Sequence, residues 1–401
     1  MSKAAFGVTT LCGAGFRRML CSNQPAVIHS GGAVTYRELE QWVARIAAGL
    51  HRIGVHPGDV VAVQLPNTIE YIESFLAISF LGAVMTSLYL SFRDVELAAQ
   101  LVHSRAKAMI VPHAIGDFSP REWALQNKPR LPSLASIVAV GGPLAGTIGF
   151  GELGNSAAAL PADLPIPNAA DPFLLLYTSG TTSSPKGVPL NYHQMLTNAR
   201  LGIVEHDIRS ADIALSAAPF GHLYALYSVQ MALCAGAATL LLPVFTPPEL
   251  IKAIETKKPT HLFAGAAHIA ACQGARLLVS QKLSSLRVVV LSGAAVPPNL
   301  VLNFAPLPQE IELLVERHPS VAQCAIAPIP DSILGEQARC YVVMKPGAQL
   351  TFDELSTFLL RFGIAKYKLP EKLEIMTEFP LTATRKVIKG RLRPKASDKS
   401  E

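Results

Sequence analysis

Between Thr35 and Pro112 the chain alternates amphipathic stretches with short β-branched runs, and few folds tolerate that alternation. TYRELEQWVARIAAGLHRIGV carries its apolar residues at helical spacing, and Thr35 with Glu38 forms a capping-box start. HPGDVVAVQLPN is a turn feeding a strand that ends at Pro66, and a helix over Ile69 to Leu81 follows. RDVELAAQLVHSRAKAMIVP repeats helix then strand. Units of this kind build parallel sheets covered by helices, so the fold class predicted is layered α/β.

Two uncharged stretches test that reading, Ser74 to Ser91 and Ala225 to Phe245, each long enough to span a bilayer. Gly82 and Gly236 interrupt them near the middle, with a helix-like half before and a strand-like half after. A buried helix turning at glycine into a buried strand explains both, and no transmembrane span is expected.

The totals agree with a folded protein of more than one core. At 401 residues the length suggests two or three domains. Half the residues are apolar and 16% charged, which excludes a disordered chain. A net charge of +6, without long basic runs except near Lys386 to Lys395, gives a mild bias toward anionic ligands and no nucleic-acid signature. Six scattered cysteines, with no CxxC pair, read as reduced, mostly buried thiols, and no metal site in the protein follows from them. The first twenty residues lack a secretory pattern, leaving a weak amphipathic stretch at Phe16 to Leu20; a cytoplasmic location is expected. Nothing in the sequence fixes an oligomeric state.

Asp117 to Pro172 is richer in Pro and Gly and reads as connecting loops and short elements. PFLLLYTSG is then a strand opening into a loop, and NYHQMLTNARLGIVEH a helix. Strands near Ala214, at Ala238 to Leu242 and at His261 to Ala264 alternate with helices from His222 and over Pro247 to Ile254, and LRVVVLSGAA is strand plus turn. Beyond Asn299 comes a small α+β unit: helix, turn and strand in PQEIELLVERHPSVAQCAIAPIPD, a second strand in ARCYVVMKPG, and a helix in TFDELSTFLLRFG capped by Thr351. The domains expected are 1–300, a short junction at 301–307, a second domain at 308–395 and a tail at 396–401.

The loop YTSGTTSSPKG, Tyr177 to Gly187, carries chemistry. Its backbone N–H groups and hydroxyls suit phosphate oxygens, its glycines allow close approach, and Lys186 adds charge. It is no P-loop: counting from Gly180, Pro185 stands where the second glycine belongs and Gly187 where the magnesium-binding hydroxyl belongs. A flexible linker is the plainer alternative, but linkers rarely join an apolar strand directly to an amphipathic helix.

LLLYTSGTTSSPKGVPLNYHQM resembles the phosphate-loop signature of the adenylate-forming enzymes, the acyl-CoA synthetase and aryl-CoA ligase type. AVTYRELEQWVARIAAGLHRIG, FLGAVMTSLYLSF, APFGHLYAL, LSGAAVPPNL and FPLTATRKVIKGRL are similar to further parts of that family. The resemblance implies a large N-terminal α/β domain and a small C-terminal α+β domain. It also implies activation of a carboxylic acid by ATP with Mg2+ to an acyl-adenylate, then transfer to CoA. By position it implies a phosphate loop of Thr178, Ser179, Gly180, Thr181, Thr182 and Lys186, and an adenylation lysine at Lys386, beside Arg385 where the family has glycine. It implies an acyl-site residue at His222, whose plainer role is a core or helix-capping histidine. Gly293, Ala294 and Ala295 would border the nucleotide, and Gly335 and Glu336 would face the thiol, where a surface turn is the alternative. The family's block with the adenine-stacking Tyr, the ribose-binding Asp and the hinge is missing: GAAVPPNL passes to PLPQEIE through Val301 to Ala305 alone. Two readings stand: a ligase for a hydrophobic carboxylic acid, or a non-catalytic remnant or isoform binding acyl or phosphate ligands at most.

Overall fold

The computed structural model describes residues 22–155, 160–178, 186–278, 282–292, 308–331, 335–362, 369–380, 387 and 392. The chain divides into two compact units, Met1–Ala295 and Val296–Glu401.

The first unit holds two sheets and their helices. In chain order its elements are β1 (Pro25–His29), β2 (Gly32–Thr35), α1 (Tyr36–Arg52), β3 (Val60–Val63), α2 (Ile69–Leu81), β4 (Val84–Ser87), α3 (Asp94–Ser104) and β5 (Ala108–Pro112). Next come α4 (Pro120–Asn127), β6 (Ser136–Val140), β7 (Ile148–Gly149), α5 (Phe150–Gly154), β8 (Pro172–Thr178), β9 (Lys186–Asn191) and α6 (Tyr192–Glu205). Then follow β10 (Ile213–Ser216), α7 (Leu223–Ala235), β11 (Ala238–Leu240), α8 (Pro247–Lys257), β12 (His261–Gly265), α9 (Ala266–Gly274) and β13 (Val288–Ser292). One sheet has the order β7-β6-β5-β3-β4-β8-β9 and the other β13-β12-β10-β11-β1-β2. Strands pair parallel throughout, except the hairpins β8–β9 and β1–β2.

Local chemistry explains the helices. Thr35 accepts from the Glu38 N–H at 3.2 Å while the Glu38 carboxylate accepts from the Thr35 N–H at 2.8 Å, the reciprocal box the sequence announces. α2 and α7 end at Gly82 (φ 77°) and Gly236 (φ 76°), both left-handed, and each chain then enters a buried strand. That resolves the two uncharged stretches. Among the described residues no helix is long and apolar enough to cross a membrane.

Three segments sharpen the sequence reading. SIVAV is a true strand, β6, paired with β5 over five residues, because buried β-branched residues outweigh the surrounding Pro and Gly. PAVIHSGGAVT folds as the β1–β2 hairpin. KGVPLN, whose Lys186 and Gly187 fall in the expected loop, is strand β9; its Pro189 is tolerated because β9 is the last strand of its sheet.

Two aromatic hydroxyls tie helices to distant backbone: Tyr36 donates to the Ala237 carbonyl at 2.6 Å and Tyr192 to the Ser79 carbonyl at 2.9 Å. Tyr192 also stacks on Phe173, ring centroids 4.8 Å apart, fixing the start of β8 against α6. An Arg287 guanidinium bridges Asp207 and Asp212 at 2.7 Å each, anchoring the approach to β13.

The second unit is built from α10 (Pro308–Val315), β14 (Val321–Asp331), β15 (Gly335–Met344), α11 (Phe352–Arg361) and β16 (Lys372–Met376). β14–β15 is an antiparallel pair and β16 adds parallel to β15. A buried Arg339–Glu374 pair at 2.8 Å joins β15 to β16. Thr351 caps α11 through the same reciprocal box, with Glu354. Cys324 and Cys340 are buried thiols with sulfurs 3.6 Å apart; Cys234 and Cys272 are also free and buried.

α1 packs on α5 at Gly49, where an added Cβ would meet the Leu153 carbonyl oxygen at 2.5 Å and its Cα at 2.7 Å. Gly49→Ala gains helix propensity of about 1 kcal/mol but collides with backbone, which costs about 3 kcal/mol. A net loss of about 2 kcal/mol in urea unfolding is expected.

Candidate functional site

The site begins where β8 turns back on itself. Met85 and Leu174, then Thr86 and Leu175, pair in parallel register, and the Thr86 hydroxyl donates to the Leu175 carbonyl at 3.0 Å. β9 closes the hairpin with Thr178 opposite Lys186. The segment joining that pair therefore starts from the carboxyl edge of a largely parallel sheet. Ser179, Gly180, Thr181 and Thr182 lie outside the described residues. Lys186 is exposed at the first position of β9. At the neck of the hairpin the Tyr177 hydroxyl meets His103 Nδ1 at 2.8 Å, and burial pushes the phenol pKa up.

The loop before α7 approaches from the other sheet. Asn67, in the turn after β3, clamps it from both sides. Its Nδ2 donates to the Ala218 carbonyl at 2.9 Å and its Oδ1 accepts the Phe220 N–H at 2.7 Å. Tyr71 on α2 adds a hydroxyl bond to the Phe220 carbonyl at 2.8 Å and meets Ser87 Oγ at 2.5 Å. Burial holds the Tyr71 phenol far above its ordinary range, so it stays a neutral donor.

His222 follows this clamp as the N-cap of α7, its Nδ1 accepting the Tyr224 N–H at 3.2 Å. The capping role is thus real, and with Nδ1 used as the acceptor, Nε2 is the ring nitrogen left to donate. His222 also lines a cavity of about 410 Å³ together with Tyr89, Phe92, Gln100, Tyr177 and Val188. The structure therefore brings His222 and the β8–β9 hairpin to one concavity. Gln100 in that wall is buried with its amide oxygen unpaired. The Tyr224 hydroxyl, donating to the Val290 carbonyl at 2.7 Å, ties α7 to β13. β13 ends at Ser292 in register with Gly265 of β12. Gly293, Ala294 and Ala295, which follow, lie outside the described residues.

Lys386 also lies outside them. Gly335 and Glu336 open β15, opposite Asp331 and Pro330, in place of the surface turn weighed for them. Among the described residues no cluster of three or more His, Cys, Asp or Glu could hold a metal. Asn67, Tyr71, Tyr89 and Gln100 escaped the sequence reading. The only signal was the Pro-Asn pair before a helix, which looks like any turn.

Known proteins now give this geometry a family. The AMP-binding enzyme model matches residues 19–314 and the AMP-binding enzyme C-terminal domain model residues 310–386. The chain belongs to the AMP-binding, adenylate-forming enzyme family. It is similar to a feruloyl-CoA synthase of Amycolatopsis sp, 26% identical over 94% of this chain and 97% of that protein. It is also similar to a medium-chain fatty-acid–CoA ligase of Escherichia coli, 21% identical over 92% of this chain and 86% of that one. The crystal structure of an anthranilate CoA ligase in complex with anthranoyl-AMP shares the fold, with a TM-score of 0.66, 19% identity, and 96% and 97% of the two chains covered. The feruloyl-CoA synthase match runs over 496 positions against 401 residues here, so at least 95 of them (496 less 401) have no counterpart in this chain.

Asn67→Ala should strip both hydrogen bonds from the loop and leave the Ala218 carbonyl and Phe220 N–H buried without a partner. A loss of about 2 to 4 kcal/mol in denaturant unfolding is expected, at about 1 to 2 kcal/mol for each orphaned group. Asn67→Asp, which sets a buried carboxylate oxygen against the Ala218 carbonyl, should lose at least as much.

Proposed function

We propose that this chain is an acid–thiol ligase that activates a hydrophobic carboxylic acid at the expense of ATP and passes the acyl group to CoA. The observation that carries the proposal is the β8–β9 hairpin, which opens from a parallel sheet edge and shares a cavity with His222. Support also comes from the family match and from relatives named as acyl- and aryl-CoA ligases. When bound, ATP supplies the electrophilic α-phosphorus and Mg2+ draws its oxygens together.

The residues of the chain divide the remaining work. Thr178, Ser179, Gly180, Thr181 and Thr182 supply backbone and hydroxyl donors to phosphate, and Lys186 follows the charge that builds as pyrophosphate leaves. Lys386 serves as the cation near carboxylate and α-phosphate; the C-terminal family match ends on that residue. His222, an N–H donor at Nε2, borders the acyl group, whose apolar body meets Phe92, Leu176 and Val188. Gly293, Ala294 and Ala295 border the nucleotide, and Gly335 and Glu336 the thiol. The domains of this reading are 1–300, the junction 301–307, and 308–395.

One observation favours a second reading, in which the chain binds acyl or phosphate ligands without turnover. Only fifteen residues, GAAVPPNLVLNFAPL, separate β13 from α10, and they contain no Asp, Glu or Tyr to hold a ribose or stack an adenine. We assign the relatives' extra positions to this junction. Losing two or three nucleotide contacts at about 1 to 2 kcal/mol each weakens ATP binding by roughly two to four orders of magnitude. The phosphate end of the site is unaffected by that loss.

Pyrophosphate exchange into ATP, driven by a panel of fatty and aromatic acids at millimolar ATP, decides between the readings. Acid-dependent exchange is expected, with Lys386→Ala and Lys186→Ala each lowering it at least a hundredfold. No exchange from folded protein overturns the ligase reading and leaves the second.

A further inference from the structure

α2 is a core helix, with ten of its thirteen residues buried, and one of the ten is a carboxylate. Glu73 is 5% exposed and makes no hydrogen bond or ion pair among the described residues. Its neighbours in sequence, Ile72 and Phe75, sit in the apolar core, which gives a packing helix no reason to carry an acid here. A carboxylate at a mostly buried position is costly unless it is neutralised or reached by solvent or a ligand.

Glu73 is not sealed in. It lines a groove of about 760 Å³ between α1, α2, the end of β6 and α5, remote in sequence from every residue assigned to ATP or acyl binding. The charged groups facing Glu73 there are Arg45 from α1, Glu70 from its own helix and Glu152 from α5; the β6 end contributes only Gly141, Gly142 and other uncharged residues. The indole of Trp42 completes the lining. Three carboxyls outnumber one exposed guanidinium, and an aromatic residue, Trp42, shares the lining with them.

We propose that this groove binds a small organic cation, its ammonium group held by the Glu73 carboxylate and the Trp42 indole. Aromatic faces attract ammonium groups, and the volume suits a ligand with a carbon body. A bare metal ion fits less well, since no cluster of three ligating side chains forms among the described residues.

The groove sets a pH signature. Burial first, then the neighbouring Glu70 charge, pushes the Glu73 carboxyl up to about 8, with Arg45 pulling partly back. A cation favours the ionised form, so below that value binding must expel a proton and affinity falls as pH falls. Folding follows the opposite sign. The raised carboxyl stabilises the protein below its unfolded value near 4.5, and that contribution is lost as pH rises through about 8.

Calorimetric titration of the full chain with choline tests the site, with its uncharged isostere 3,3-dimethylbutan-1-ol as control. Saturable choline binding at pH 9 is expected, about a hundredfold weaker at pH 6, with proton release at pH 7.5 and no binding of the neutral alcohol. Glu73→Gln should abolish the pH dependence and lower choline affinity at pH 9 at least tenfold, while melting as a folded protein. Trp42→Leu should weaken binding without changing the pH dependence. Absence of saturable choline binding at pH 9, equal binding of the alcohol, or unchanged binding by folded Glu73→Gln overturns the proposal.

Discussion

The two sheets of the large unit are held in working register by the Asn67 and Tyr71 clamp, and the candidate site depends on it. Asn67 and Tyr71 follow β3 of one sheet, while the carbonyls and N–H they engage belong to the loop leaving β10 of the other. Without these bonds the loop carrying His222 would have buried, unsatisfied backbone and no reason to face the hairpin. The clamp works because Asn67 is a donor and an acceptor at once, and because burial keeps the Tyr71 phenol protonated.

The concavity between hairpin and His222 follows from two further choices. β8 enters parallel to β4, which sends its carboxyl end to the sheet edge, and β9 returns antiparallel, so that Thr178 and Lys186 stand opposite each other there. α7 presents His222 at its N-terminus, with the ring orientation fixed by its own backbone cap. The hairpin and the histidine then line one cavity. The same helix α2 whose Tyr71 hydroxyl holds the Phe220 carbonyl places Glu73 on a separate groove.

Much of this was legible before any coordinate. Thr35 and Glu38 announce the start of α1, and Gly82 and Gly236 mark helix ends inside stretches long enough to be mistaken for membrane spans. YTSGTTSSPKG is distinguishable from a P-loop by Pro185 and Gly187 alone. The expected loop takes in Lys186 and Gly187, and only the pairing with β8 shows that they begin a strand. SIVAV was hidden by the Gly and Pro around it.

The sequence by itself determined the class of chemistry and the layered α/β architecture, because helix caps, left-handed glycines and a phosphate-binding loop are local: each depends on residues within a few positions of one another. It also shows that the fifteen residues before α10, GAAVPPNLVLNFAPL, contain no Asp, Glu or Tyr. Only the tertiary structure decided that Asn67, 155 positions before His222 by their numbering, orients the loop that bears it, that Gln100 and Tyr89 wall the same cavity, and that Glu73 opens onto a groove. Those facts rest on contacts between distant segments, and a side chain's neighbours across a sheet leave no periodicity in the chain to read.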